Sequence, residues 1–81
     1  MDERVQDIIE ALQDLANDNT VPRNIKNKVE EVIDILQEDG ADISIRIDKA
    51  LTELDEISED VNLQAYARTQ IWNISSMLEM L

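Results

Sequence analysis

Cysteine, histidine and phenylalanine are absent from this 81-residue chain, and glycine and proline occur once each. Without cysteine there is no disulfide framework, thiolate metal site or thiol nucleophile, and nothing points to an oxidising compartment. Without histidine the usual neutral-pH base and a common metal ligand are missing, so Ser44, Ser58, Ser75 and Ser76 have no partner for a Ser-His-Asp arrangement. Positive charge is scarce: 7 Lys and Arg stand against 19 Asp and Glu, a net charge of −12. Only Arg23, Lys26 and Lys28 cluster, too few for a phosphate-binding patch, so direct nucleic-acid binding is not expected. Gly40 stands alone and cannot build a Gly-rich phosphate loop. No apolar run approaches the roughly 20 residues of a membrane span, and the first residues lack a signal peptide's basic start and apolar stretch. A cytoplasmic protein without membrane attachment or cofactor is the expectation.

What is present favours helix. Ile, Leu and Val make up 24 residues, enough for a core despite the acidity, and the length fits one domain over residues 1–81. Val5, Ile8, Ile9, Leu12, Leu15 and Ala16 recur at three- and four-residue steps, which predicts a first helix. Thr20 is the predicted N-cap of a second, with Pro22 in its first turn, a stripe of Ile25, Val29, Val32, Ile33 and Leu36, and Gly40 closing it. Asp42 or Ser44 caps a third helix carrying Ile47, Ala50, Leu51, Leu54, Ile57 and Ser58. The β-branched alternation Ile43-Ser44-Ile45-Arg46-Ile47 leaves a short extended segment as an alternative there. Asn62 is the predicted cap of a fourth helix with Leu63, Ala67, Ile71, Ile74 and Leu78 on one face.

A shift of 42 residues superposes the two halves, pairing Val5 with Ile47, Leu12 with Leu54, Asp18 with Asp60, Val21 with Leu63, Lys26 with Arg68 and Leu36 with Leu78. The chain therefore reads as all-α, four helices forming two antiparallel hairpins, 1–40 and 41–81. An Asp in the turn, an aliphatic residue at the next helix start and a following cation resemble a HEAT-type unit; the alternative is a compact bundle.

Thr20-Val21-Pro22-Arg23-Asn24-Ile25, Leu54-Asp55-Glu56-Ile57-Ser58 and Arg68-Thr69-Gln70-Ile71-Trp72-Asn73-Ile74 together resemble the archaeal sequences grouped as uncharacterised protein family (UPF) 0147, over nearly the whole chain. The resemblance implies an all-helical cytosolic archaeal protein and supplies no catalytic residue. Where that family is expected to carry a second proline near the start of the last helix, this chain has Gln64.

Two function classes follow. Glu30, Glu31 and Asp34, with Glu53 and Glu56, offer hard oxygen ligands at one-turn spacing on two helices, as Mg²⁺ requires, and resemble in part the carboxylate sets of MazG-type nucleotide pyrophosphohydrolases. At 100° per residue, however, Glu30, Glu31 and Asp34 point roughly 120–160° from their helix's apolar stripe, the direction of a solvated face. Helix four carries the other signal. From Leu63 to Leu81 its only charged residues are Arg68 and Glu79, and Trp72 lies roughly 140° from the core stripe. Trp72 either fills a gap between hairpins or, with Ala65, Thr69, Ser76, Met77 and Met80, forms an interface for a second copy or a protein partner, possible partners including basic proteins. The primary expectation is a non-enzymatic, homo-oligomeric interaction module.

Overall fold

Four helices organise the chain in the computed structural model, which describes residues 3–38 and 40–81. They are α1 (Glu3–Ala16), α2 (Arg23–Gln37), α3 (Ile43–Ser58) and α4 (Ala65–Glu79), with no strand among the described residues. The alternating Ile43–Ile47 segment is helical. Asp42 decides the matter locally: its side chain accepts the Ser44 N–H at 3.1 Å and starts the helix, while Ile43 and Ile45 have no strand to pair with and stay exposed.

Three predicted helix ends move. Thr20 does not cap α2; Pro22 occupies the N-cap position without a side-chain bond, and Thr20 is held instead by Asp18. Asn62 likewise does not cap α4, which begins two residues later with Gln64 at its N-cap, because Asn62 is tied back to Asp60. Both differences share a physical cause: the Asp two residues earlier captures the backbone N–H of Thr20 or Asn62 in an Asx-type turn, which keeps that residue in the loop. Gly40 has the expected positive φ, 107°, but α2 ends earlier at Gln37 with an extended Glu38, so Gly40 shapes the α2–α3 turn rather than closing the helix.

The predicted stripes form the core. Ile8, Ile9 and Leu12 of α1, Ile25, Val29, Val32 and Leu36 of α2, Ala50, Leu54 and Ile57 of α3, and Ala67, Ile71 and Leu78 of α4 are essentially inaccessible, and among the described residues no polar one is buried with them. Ile47 and Leu51 pack only at the edge. Val21 and Leu63, the equivalent residues just ahead of α2 and α4, plug the same end of this core.

Each helix touches two neighbours: α1 with α2, α2 with α3, α3 with α4, and α4 returning onto α1. This closed ring, 33 × 19 × 19 Å, is the arrangement of a compact bundle, and its short connections make neighbouring helices antiparallel.

The 42-residue repeat is visible in hydrogen bonds. Asp18 N–H to Leu15 O, Val21 N–H to Asp18 O and Lys26 N–H to Pro22 O recur as Asp60 to Ile57, Leu63 to Asp60 and Arg68 to Gln64, all between 3.0 and 3.2 Å. The halves also exchange contacts. Tyr66 donates to Asp18, and its counterpart Asn24 donates to Asp60 at 3.2 Å. Residue i of one half meets residue j of the other, and j meets i, which is the signature of a local twofold relation rather than head-to-tail stacking.

Candidate functional site

Helix α4 buries Ala67, Ile71, Ile74 and Leu78, so the 3.6-residue period directs Trp72 away from the core. The structure leaves Trp72 57% exposed, and Met80 80%. Of the two sequence readings for this indole, gap-filling between hairpins is not what the fold does. Ala65, Thr69, Ser76 and Met77 are exposed with them, and Thr69 turns its hydroxyl back onto the Ala65 carbonyl at 3.1 Å, which removes its donor from the surface.

Arg68 does not add charge to this face. Its Nε donates to Ser58 O at 2.9 Å, and one terminal nitrogen donates to Asp60 O at 3.1 Å and Leu63 O at 3.4 Å. The cation that follows the turn is thus a stitch across the α3–α4 loop. That leaves Glu79 at the helix end, and the outer surface of α4 from Ala65 to Ser76 is uncharged.

Beside it, the seam between α4 and α1 opens into two adjoining grooves that share Met77. One, about 240 Å³, is lined by Ala11, Asp14, Gln70, Asn73, Ile74 and Met77. The other, about 170 Å³, is bounded by Arg4, Asp7, Ile8, Met77 and Met80. Sequence periodicity missed this seam because it belongs to two helices at once; the available signal was the coincidence of an acidic α1 edge with an uncharged α4.

The carboxylates proposed for Mg²⁺ do not converge. Glu30, Glu31 and Asp34 lie on the exposed side of α2, Glu53 is half-buried on α3, and Glu56 is paired with Lys28 at 3.5 Å. Among the described residues no set of three acidic side chains is placed to hold a metal ion.

At the far end of the bundle, Asp18 accepts hydrogen bonds from the Tyr66 hydroxyl, the Thr20 hydroxyl at 2.7 Å and the Thr20 N–H at 2.8 Å. Tyr66, then Thr20, stabilise the anion and hold the Asp18 carboxyl down at about 2, while the same carboxylate pushes the Tyr66 phenol up. This cluster joins the first turn of α4 to the α1–α2 loop, so it positions the exposed face.

The whole chain, residues 1–81, matches the sequence pattern of the family described as "Uncharacterised protein family (UPF0147)". It belongs to this family. UPF0147 relatives come from archaea: the Methanosarcina mazei protein is 38% identical over 95% of this chain and 83% of its own length. The Thermococcus kodakarensis protein is 38% identical over 98% of this chain and 96% of its own. Among solved structures, a UPF0147 protein from Thermoplasma acidophilum superposes with a TM-score of 0.93 at 29% identity, covering 98% of this chain and 93% of that one. A crystal structure of a protein of unknown function also gives 0.93, at 36% identity, over 96% of this chain and 89% of the other. The four-helix ring is therefore the UPF0147 fold. No described helix is long and apolar enough to cross a membrane.

Proposed function

We propose that this UPF0147 protein is a non-enzymatic cytoplasmic interaction module that works through the uncharged outer face of α4, and that the face is covered by a second copy in an isologous dimer. The observation that carries the reading is Trp72, exposed over more than half its surface on the one helix without an acidic coat. A chain of net charge −12 repels its own copies wherever carboxylates face each other, so α4 is where two of them meet at least electrostatic cost. Trp is a preferred anchor and Met adapts to whatever surface it meets. We also read each hairpin as a HEAT-type unit on its repeated Asp turn, with the pair closed on itself instead of extended into a stack.

Covering the exposed part of one indole removes on the order of 100 Å² from water, worth roughly 2–3 kcal/mol, and a twofold interface counts it twice. Trp72→Ala is therefore expected to raise the dimer dissociation constant about a hundredfold or more. Light scattering across a range of protein concentrations measures this. A monomeric mass for the natural chain at all concentrations, with an indole that acrylamide quenches freely, rejects the dimer.

A further inference from the structure

The twofold relation between the halves offers an internal control for the α1–α4 groove. Its counterpart is the α2–α3 seam, where each residue is replaced by the one 42 positions away. There Lys28 stands for Gln70 and Glu56 for Asp14, and the two form an ion pair at 3.5 Å across the seam. Glu53 stands for Ala11 and adds bulk, and Arg46 reaches across to the Leu36 carbonyl at 2.9 Å. In the α1–α4 seam the uncharged Gln70 stands in place of Lys28 beside Asp14, Ala11 leaves space at the centre, and Arg4, the counterpart of Arg46, is the cation at the other end of the lining.

The α1 side of this opening is acidic along most of its length, with Arg4 as its cation. Ile8, Ala11, Ile74 and Met77 make an apolar floor. Glu3, Asp7, Glu10 and Asp14, all exposed and spaced at three and four residues, form an acidic ridge along α1, of which Asp7 and Asp14 line the grooves, and neither of these two is in an ion pair with a described residue. The α4 wall, Gln70 and Asn73, is polar and uncharged. From Glu3 to Asp14 the ridge runs about three helical turns, roughly 16 Å at 1.5 Å per residue.

We propose that the α1–α4 groove seats a basic amphipathic helix of a partner protein, its apolar stripe on Ile8, Ala11, Ile74 and Met77 and its lysines or arginines along the Asp7–Asp14 ridge. Such a helix supplies the cation that Lys28 provides internally at the equivalent seam, and its aliphatic anchors occupy the space that Ala11 leaves where the other seam has Glu53. The proposal rests on the reading of α4 as a docking face; Asn73, Met77 and Gln70 lie roughly 100–160° around that helix from Trp72, so the indole is outside the groove, while Met77 and Met80 border both surfaces.

The probe is a fluorescein-labelled synthetic helix of about fourteen residues, with leucines every third or fourth position and lysines along one flank, titrated with the full chain and followed by anisotropy. A scrambled peptide of the same composition is the control for sequence. Asp7→Lys with Asp14→Lys is expected to weaken binding about tenfold or more. Glu31→Lys with Asp34→Lys, the same charge change on the outer face of α2, is expected to leave it within about twofold. If the lysine pair disturbs folding by circular dichroism, Asp7→Asn with Asp14→Asn replaces it, with the same direction expected. The groove is refuted by no binding, by equal binding of the scrambled peptide, or by equal weakening in the two charge-reversed proteins. Trp72→Ala is expected to leave peptide binding intact; should it abolish binding while the groove variants do not, the peptide sits on the outer face and the groove assignment fails while the docking role of α4 stands.

Discussion

Asp18 shows how much one short side chain organises. It ends the turn after α1, holds Thr20 in place and accepts the Tyr66 hydroxyl from the opposite hairpin. Its carboxyl is lowered from the ordinary 3.8 to about 2, chiefly by Tyr66 and then by Thr20. A depressed carboxylate contributes stability that is complete above the unfolded value near 4 and is lost as pH falls toward about 2. Tyr66→Phe removes the largest cause, so the Asp18 carboxyl is expected to titrate closer to 3.8 by NMR. The stability difference between natural protein and variant should shrink between pH 4 and pH 2; a difference independent of pH across that window would dismiss the Tyr66–Asp18 bond as a stabilising contact. The repeated turn Asp was legible in the sequence, but its bond to Tyr66 was not, since the partners are 48 residues apart and nothing local links them.

At the level of the helix, periodicity located all four elements and nearly all the core, because aliphatic stripes at three- and four-residue steps have one way to be buried. The ends were harder. Thr20 and Asn62 have the chemistry of caps, yet Asp18 and Asp60 compete for their backbone N–H groups and win, displacing both helix starts. The equivalence of Pro22 and Gln64 then yields a prediction. Both occupy N-cap positions with nearly the same backbone, φ −58° and ψ 148° for Pro22 and φ −67° and ψ 151° for Gln64. Proline fits that φ, and its counterpart already tolerates the ring, so Gln64→Pro is expected to stabilise the protein by about 0.4–1 kcal/mol through a less flexible unfolded chain. Urea denaturation of the two proteins decides it, a lower midpoint for the variant being the contrary result. The surface role of α4 was only half legible: its lack of charge stood out, but whether Trp72 faced inward depended on how the hairpins close, which no single helix encodes.

For the molecule as a whole, charge is the dominant surface property. A net −12 on 81 residues is relieved by few internal cations, and the Lys28–Glu56 pair is solvent-exposed and worth little, about 0–1 kcal/mol. Self-repulsion between the acidic faces of α1, α2 and α3 therefore opposes folding, and salt screens it. Raising sodium chloride from about 10 mM to about 500 mM is expected to increase the melting temperature by several degrees in differential scanning calorimetry. A flat or falling melting temperature would mean that the carboxylates are too far apart to matter. The same field draws basic partners toward the protein at low ionic strength, so any such association should slow as salt is added.

The exchange of contacts between halves has a topological corollary. Arg4 at the start of α1 lies across a groove from Met80 at the end of α4, and the twofold relation makes this gap the counterpart of the 38–42 link between hairpins. The two ends of the ring's seams are thus equivalent in geometry although only one is crossed by the chain. A circular permutant that joins the end of α4 to the start of α1 through a five-residue linker and opens at Gly40 is expected to keep each helix-to-helix seam, with thermal unfolding followed by circular dichroism as the check.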